Sequence, residues 1–585
     1  MYTLNNNDIN ILDLPDEILL RILNKLHTIE MLYSLVNVNQ RFDRLVLDRF
    51  YIHHLDLTIK PLLYHNSSVN NQKIFDGICT QVLPRIHHKI NKFTIEPLSM
   101  KYILDTIDYS QLNSLSLVNF QSETLLQHLT GDTILLRLLN NQITHLTIDI
   151  TDKISEIPDG NQLNMFALIL SISKCLIDLT FTQRTKISFS NLPSTTCVSS
   201  TLTKLNITVN TFDDCLYLLD GCLQHLSILI IHIIEISDSS LNIDNTKNLP
   251  KLKCLSLTSY WYTYFYNNRI VPLLRRMLNL EELILFLSIK RNESTYIDGT
   301  QLYNDFLINM PRLNKFIFSI HTYIKNDHVK IDLPSKNDIL NSFIKRGYQH
   351  VDTYADKKLI YNRGYSHVYS LPYYFNDFIF MTSGFQGGMF NKVRWLVMLD
   401  IRPFENELFQ VISHSFPLLQ RLSITNLQSQ KNKQNSSTFI TFAHLFELDL
   451  KRTHIDYVVQ FLFDKNTSLP RLTHLTIRYE PLATVTQGFT NDAAHLTCAK
   501  IKRLVIQEPF VRPEKFLSYF SSLYRLLSSN LVNIGSSYSR SLSIHRSTTH
   551  LKHDGTISSK PRHDFKDSPY FGRKAQMPKH KNVES

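Results

Sequence analysis

Glycine is scarce in this chain, at 14 of 585 residues, against a share of roughly 7% in average proteins. A phosphate-cradling loop needs several glycines close together, so that the backbone can approach the anion. The tightest cluster, Gly384, Gly387 and Gly388, fits neither the P-loop nor the dinucleotide fingerprint and reads as a turn. Cysteine is also little used. The seven cysteines (Cys79, Cys175, Cys197, Cys215, Cys222, Cys254 and Cys498) form no C-x-x-C pair and no regular framework. That usage fits free thiols in a reducing, intracellular compartment, cytoplasmic and/or nuclear. Long apolar runs are missing too. The most apolar stretch, 226–236, is interrupted by His232 and Glu235 and is too short to span a bilayer. The opening MYTLNNNDIN has no basic start followed by an apolar segment, so no secretory signal is expected. No membrane partner follows from any of this.

Catalytic signatures are absent in the same way. No G-x-S-x-G, no H-E-x-x-H and no zinc-like Cys/His spacing occurs, and the chemistry of those motifs depends on their spacing. His350 with Asp352, and His454 with Asp456, match half of an iron-binding facial triad. The second pair falls just after a strand pattern, where ordinary packing explains it. The chain is therefore read as a non-enzyme with no catalytic residues, no metal and no cofactor.

The formal charge is +11, which suggests a nucleic-acid partner until the charge is located. Residues 536–585 hold ten Lys and Arg against four Asp and Glu, so +6 sits in that tail and +5 in the other 535 residues. The tail has few large apolar residues and is expected to be disordered. It carries charge but no interleaved aromatic platform and no groove-reading motif, which argues against nucleic acid as the main partner. A nucleic-acid-associated protein using the tail stays as an alternative.

Residues 12–48 read as three short helices. Leu14, Ile18, Ile22 and Leu26 recur at spacing four, with Leu19 and Leu23 widening the apolar face. Pro15 suits a first helical turn, and Asp16 and Glu17 favour the helix dipole there. Thr28 and Asn39 are the expected caps of a second and a third helix, the second carrying Leu35, the third Phe42. A unit this small needs something to dock on.

From residue 52 onward an apolar-x-x-apolar-x-apolar strand pattern recurs. Copies include Leu112-Leu115-Leu117, Leu202-Leu205-Ile207, Leu223-Leu226-Ile228, Leu252-Leu255-Leu257 and Leu280-Leu283-Leu285. Later starts fall at Val393, Leu419, Leu445, Leu472 and Ile501, in steps of 26, 26, 27 and 29 residues, within the leucine-rich-repeat range. An apolar-Pro pair stands two residues before the motif at Leu249-Pro250, Met310-Pro311, Phe416-Pro417 and Leu469-Pro470, where proline stops the preceding helix. The spacing places further starts between 311 and 417, one near Val368 and one within 323–363. One strand and one short helix cannot bury these leucines alone, but stacked neighbours can.

The helical stretch resembles the F-box family. The family pattern opens with Leu-Pro-x-Glu, continues with an Ile-Leu pair and a Leu, and closes with a Val followed by an aromatic residue. Here these are Leu14, Pro15, Glu17, Ile22, Leu23, Leu26, Val38 and Phe42. Phe42 stands where the family has tryptophan, and Asn39 where it has cysteine. The resemblance covers about 35 residues and implies docking onto the Skp1 linker of a cullin-based ubiquitin ligase. Its expected contacts are Leu14, Pro15, Ile18, Ile22, Leu23, Leu26, Leu35, Val38 and Phe42. The expected architecture is α/β: an F-box at 10–50, an irregular leucine-rich-repeat solenoid over 51–529, and a basic tail at 530–585. The expected function is an adaptor that brings a protein target to the ligase; the alternative is a repeat scaffold without ligase function.

If motif leucines point inward, positions three, five and seven point outward. Early strands then offer Thr147, Asp149, Lys204, Asn206 and Thr208. Middle strands offer Ile284, Phe286, Ile317, Trp395, Val397 and Leu399. Late strands offer Arg421, Glu447, Asp449, Lys451, His474, Arg478 and Arg503. An apolar stripe flanked by charge is what a protein-binding groove needs, so Ile284, Phe286, Ile317, Trp395, Arg421, Glu447 and Arg478 are the expected target contacts.

Overall fold

The computed structural model describes residues 11–58, 68–104, 107–151, 161–183, 189, 199–219, 223–238, 249, 251–292, 295–325, 334–358, 363–431, 439–506 and 508–523. The tail expected at 530–585 lies outside them. The fold is mixed α/β and begins with three short helices: α1 (Asp16–Leu23), α2 (Thr28–Leu35) and α3 (Gln40–Val46). Two large sheets follow.

The first sheet opens with β1 (His54–Asp56), β2 (Lys92–Ile95), β3 (Ser114–Phe120), β4 (His145–Ile150) and β5 (Asp178–Gln183). It continues with β6 (Lys204–Thr211), β7 (Ile228–Glu235), β8 (Cys254–Thr263), β9 (Glu282–Arg291) and β10 (Lys315–Lys325). These ten strands lie in chain order and pair in parallel. Then β11 (Val351–Lys358) and β12 (Arg363–Ser370) form a hairpin whose second strand pairs antiparallel with β10. The second sheet holds β13 (Asp377–Met381), β14 (Trp395–Leu399), β15 (Arg421–Asn426), β17 (Glu447–Thr453), β19 (His474–Ile477) and β20 (Arg503–Ile506), also parallel and in chain order. The small strands β16 (Ile440–Thr441) and β18 (Thr467–Ser468) pair beside it.

The register explains the repeated leucines. Leu55, Phe93, Leu115, Leu146, Leu179, Leu205, Leu229, Leu255, Leu283 and Phe316 stand side by side as one row across ten strands. All but one of the quoted motif copies fall in this register. The exception is Leu223-Leu226-Ile228. Leu229 rather than Leu226 pairs with Leu205, so the copy is Leu226-Leu229-Ile231, three residues later. In a stretch this apolar both frames match the pattern, and pairing with β6 decides.

The proline marker also has a structural reason. The backbone N–H groups of Leu313, Leu419 and Leu472 donate to the carbonyls of Met310, Phe416 and Leu469, at 3.1, 3.1 and 3.3 Å. Each bond closes a four-residue turn with proline second, the position where its fixed φ fits. The glycine cluster lies in the loop before β14, with Gly387 at φ 111 and Gly388 at φ 144, so the turn reading holds.

Among the described residues no motif start is found near Val368 or within 323–363. Val368 sits in antiparallel β12, opposite Ile320 and Thr353, and 351–358 and 363–370 are the paired strands β11 and β12. The strand the reading missed is β13, where Phe378 takes the motif position beside Leu396.

The helical unit is continuous with the first sheet. Leu19, Leu23, Met31, Leu32, Phe42 and Val46 belong to the same buried cluster as Leu55, Leu57 and Phe93. Burial alternates along β4 and along β6 as far as Asn210, with one face buried and the other half-buried or exposed. In β9 and β10 it becomes continuous from Leu285 and Phe318 onward, which requires cover on both faces. That cover is the second sheet. Phe286 of β9 shares a cluster with Ile379, Phe380 and Val397, flanked by Tyr260, Tyr262, Phe375 and Trp395.

Candidate functional site

Pro15 precedes α1 in an extended conformation, and Asp16 and Glu17 fill the first turn. α3 starts as expected, with Asn39 accepting from the Phe42 N–H at 2.8 Å. α2 differs: its cap is His27 rather than Thr28, and the His27 N–H donates to Glu30 at 3.4 Å. Arg41 ties the unit together. It donates to Asp16 at 2.8 Å and to the Leu14 carbonyl at 2.7 Å, while Arg44 reaches the other Asp16 oxygen at 2.7 Å. The hydrogen bond from Arg41, with the charges of both arginines, holds the Asp16 carboxyl below its ordinary value. From the sheet side, Arg85 donates to Asp43 at 2.8 Å, and Tyr51 donates to the Leu20 carbonyl at 3.2 Å.

This bracing leaves an apolar row in solvent. Ile18, Ile22 and Leu26 are 39%, 40% and 42% exposed, and Val38 is 58% exposed. Pro15 is exposed beside them. Ile18 and Ile22 lie one turn apart on one side of α1, and Leu26 extends the row past its end. On the other side Leu19 and Leu23 are buried. Leu23 and Phe42, expected as docking contacts, are core residues at 4% and 6% exposure: Phe42 fills space within the unit instead of presenting its ring. Leu14 and Leu35 are half-buried against the same core.

The expected apolar stripe is not open: one of its residues is internal and three are half-buried. Phe286 is 1% exposed, with the rings of Tyr260 and Phe375 each 5.1 Å away and edge-on. Ile284, Ile317 and Trp395 are half-buried. Trp395 has Tyr260 at 6.4 Å and the Arg421 guanidinium at 4.9 Å. Tyr260 donates to Asp377 at 2.5 Å. Burial pushes the Asp377 carboxyl up, partly offset by that bond and by Arg421. An outward position is thus not an exposed one here, because a second sheet covers it.

The charged contacts are only partly gathered. Trp395, Arg421 and Glu447 are direct neighbours across β14, β15 and β17. Arg478 stands apart, just before the helix Tyr479–Val485, where it donates to the Thr453 carbonyl at 3.4 Å.

The reading missed a buried histidine pair at the junction. His321 and His367 are opposite each other in β10 and β12, their rings stacked 3.7 Å apart. Ser319 Oγ lies 2.9 Å from His367 Nε2. Burial pushes His321 down to about 3, and burial together with His321 lowers His367. The available signal was the length of β8–β10 and the density of tyrosine and phenylalanine after Ser259.

His454 is a helix cap, accepting from the Asp456 N–H at 3.3 Å. Among the described residues no group of three or more His, Cys, Asp or Glu is placed to hold a metal ion, and no helix is long and apolar enough to cross a membrane. The five described cysteines are free thiols. Neither a protein-family model nor a curated protein matches the sequence.

Proposed function

We propose that the chain is a non-catalytic adaptor, cytoplasmic or nuclear, that binds a Skp1-type linker of a cullin ligase through its N-terminal helices. A protein target held elsewhere on the chain would then be ubiquitinated. The observation that carries this reading is the exposed row of Ile18, Ile22 and Leu26 with Pro15 and Val38. A soluble surface rarely leaves such a row open unless a partner covers it, and these residues include fixed positions of the F-box resemblance. Parallel strands in chain order, with motif leucines in one register, support the finer reading of the sheets as a leucine-rich-repeat solenoid interrupted by one hairpin. An adaptor of this kind acts by proximity, raising the effective concentration of target at the ligase.

The test is co-purification of the full chain with Skp1 and cullin, using Ile18→Lys combined with Ile22→Lys. Both side chains are well exposed, so the circular dichroism spectrum should not change. Skp1 capture should be lost. Undiminished capture by the folded double variant would sink the proposal.

A further inference from the structure

At the junction of the two sheets lies a cavity of about 600 Å³, within the range of roughly 300–1,000 Å³ typical of ligand pockets. The start of β10, the turn before β11, the segment after β12 and the loop before β14 each contribute to its wall. Phe316, Phe318, Tyr348 and Tyr373 make the wall aromatic, and Ile317 lines it as well. Ile317 is thus the one expected target contact on this cavity.

Two features say what the cavity takes. Its lining holds Lys392 and His350 but no carboxylate. Lys392 is exposed, with its ammonium 4.5 Å from the centre of the Tyr374 ring, and no acidic partner faces it among the described residues. Secondly, the mouth is rimmed by apolar side chains that stay in water: Leu371, Tyr374 and Met389 are 39%, 42% and 65% exposed. A ligand small enough to sit inside would leave that rim wet. Only a partner larger than the cavity covers both.

We infer that this cavity receives a peptide segment of the target, one bulky apolar side chain entering the aromatic wall and a neighbouring Asp or Glu side chain pairing with Lys392. The inference rests on the receptor reading above, since it names what the receptor takes. Its test uses no ligase component, so its failure is distinct from a failure to bind Skp1.

Short random peptides displayed on phage are selected on the full chain and, in parallel, on Lys392→Glu and Tyr374→Ala. Both changes are at exposed side chains. The wild type should enrich peptides with a bulky apolar residue within a position or two of Asp or Glu. Lys392→Glu should enrich Lys or Arg at that place instead. Tyr374→Ala should weaken a wild-type-selected peptide by about tenfold or more in fluorescence anisotropy. No consensus on the wild type, or one that Lys392→Glu leaves unchanged, overturns the inference. Binding of 3-phenylpropionate as tight as the selected peptide would assign the cavity to a small organic acid and overturn it too.

Discussion

Acidification should cost this fold stability through the junction histidines, and His321 alone sets a scale. Its ring is stacked on His367 and edge-on to Phe380 at 5.9 Å. Burial pushes it from the ordinary 6.5 down to about 3. The unfolded chain takes up a proton below the ordinary value, while the folded chain does not until near the lowered one. Stability is therefore complete above about pH 6.5 and is lost as pH falls. Each unit of pKa difference is worth about 1.4 kcal/mol, and between pH 7 and pH 5 roughly 1.4 units come into play. The loss at His321 is about 2 kcal/mol. His367 is lowered in the same direction and adds to it. The variant is His321→Phe, which keeps a ring in the stack and removes the titration. Urea unfolding followed by far-ultraviolet circular dichroism at both pH values gives four free energies. The wild type should lose about 2 kcal/mol more than the variant on going to pH 5. Equal losses would mean that the ring is hydrated, and that the second sheet does not close over β10.

Phe286→Ala should destabilise by about 3–5 kcal/mol, the cost of a core phenylalanine, and a double-mutant cycle with Phe375→Ala should return about 0.5–1.5 kcal/mol of coupling. A loss under about 1 kcal/mol in chemical denaturation would restore the open stripe. Asp377→Asn should change the pH profile in the opposite sense. With its carboxyl pushed up by burial, the folded state keeps a proton that the unfolded state has released, so wild-type stability falls as pH rises through the raised value. The variant lacks that fall. A wild-type-minus-variant difference that is flat with pH would show Asp377 to be solvated.

Local rules were readable in the sequence and layer-on-layer packing was not. Strand positions followed from leucine spacing because each parallel pair aligns like residues, and the helix breaks followed from prolines that sit second in a turn. Asn39 was legible as a cap because its side chain bonds three residues ahead, within the same helix. The His27 cap was missed because it depends on Glu30 reaching back, in a residue type seldom used there. The antiparallel hairpin has no leucine signature, since its strands bury alternate residues against two different cores. Val368 packs with the first sheet, whereas Tyr354 and Tyr369 pack with the second. Whether an outward residue is exposed depends on what lies above the sheet, and that information sits more than a hundred residues away, as with Tyr260 and Asp377. The exposed row on α1 was legible in part. Period four identified the apolar positions, but the turn of the helix separated Ile18 and Ile22 from Leu19 and Leu23 only once the sheet was in place.

The covered stripe also changes which charges are open to a partner. Outward charges on the first sheet are largely satisfied by neighbours across the strands, Lys204 with Asp178 at 2.8 Å and Lys315 with Glu282 at 2.6 Å, and just before β8 and β9 Lys253 pairs with Glu281 at 3.0 Å. Pairs this exposed contribute only about 0.2–1 kcal/mol each. A partner's carboxylate arriving at one of them must still displace an existing acid, so the exchange gains little. Arg421 is engaged as well, over the Trp395 ring. Lys392 has an aromatic face beneath it and no acid beside it among the described residues. A carboxylate reaching Lys392 adds a pair without breaking one. On electrostatic grounds the loop before β14, at the mouth of the junction cavity, is therefore a better place to hold an acidic segment than the charged strand rows.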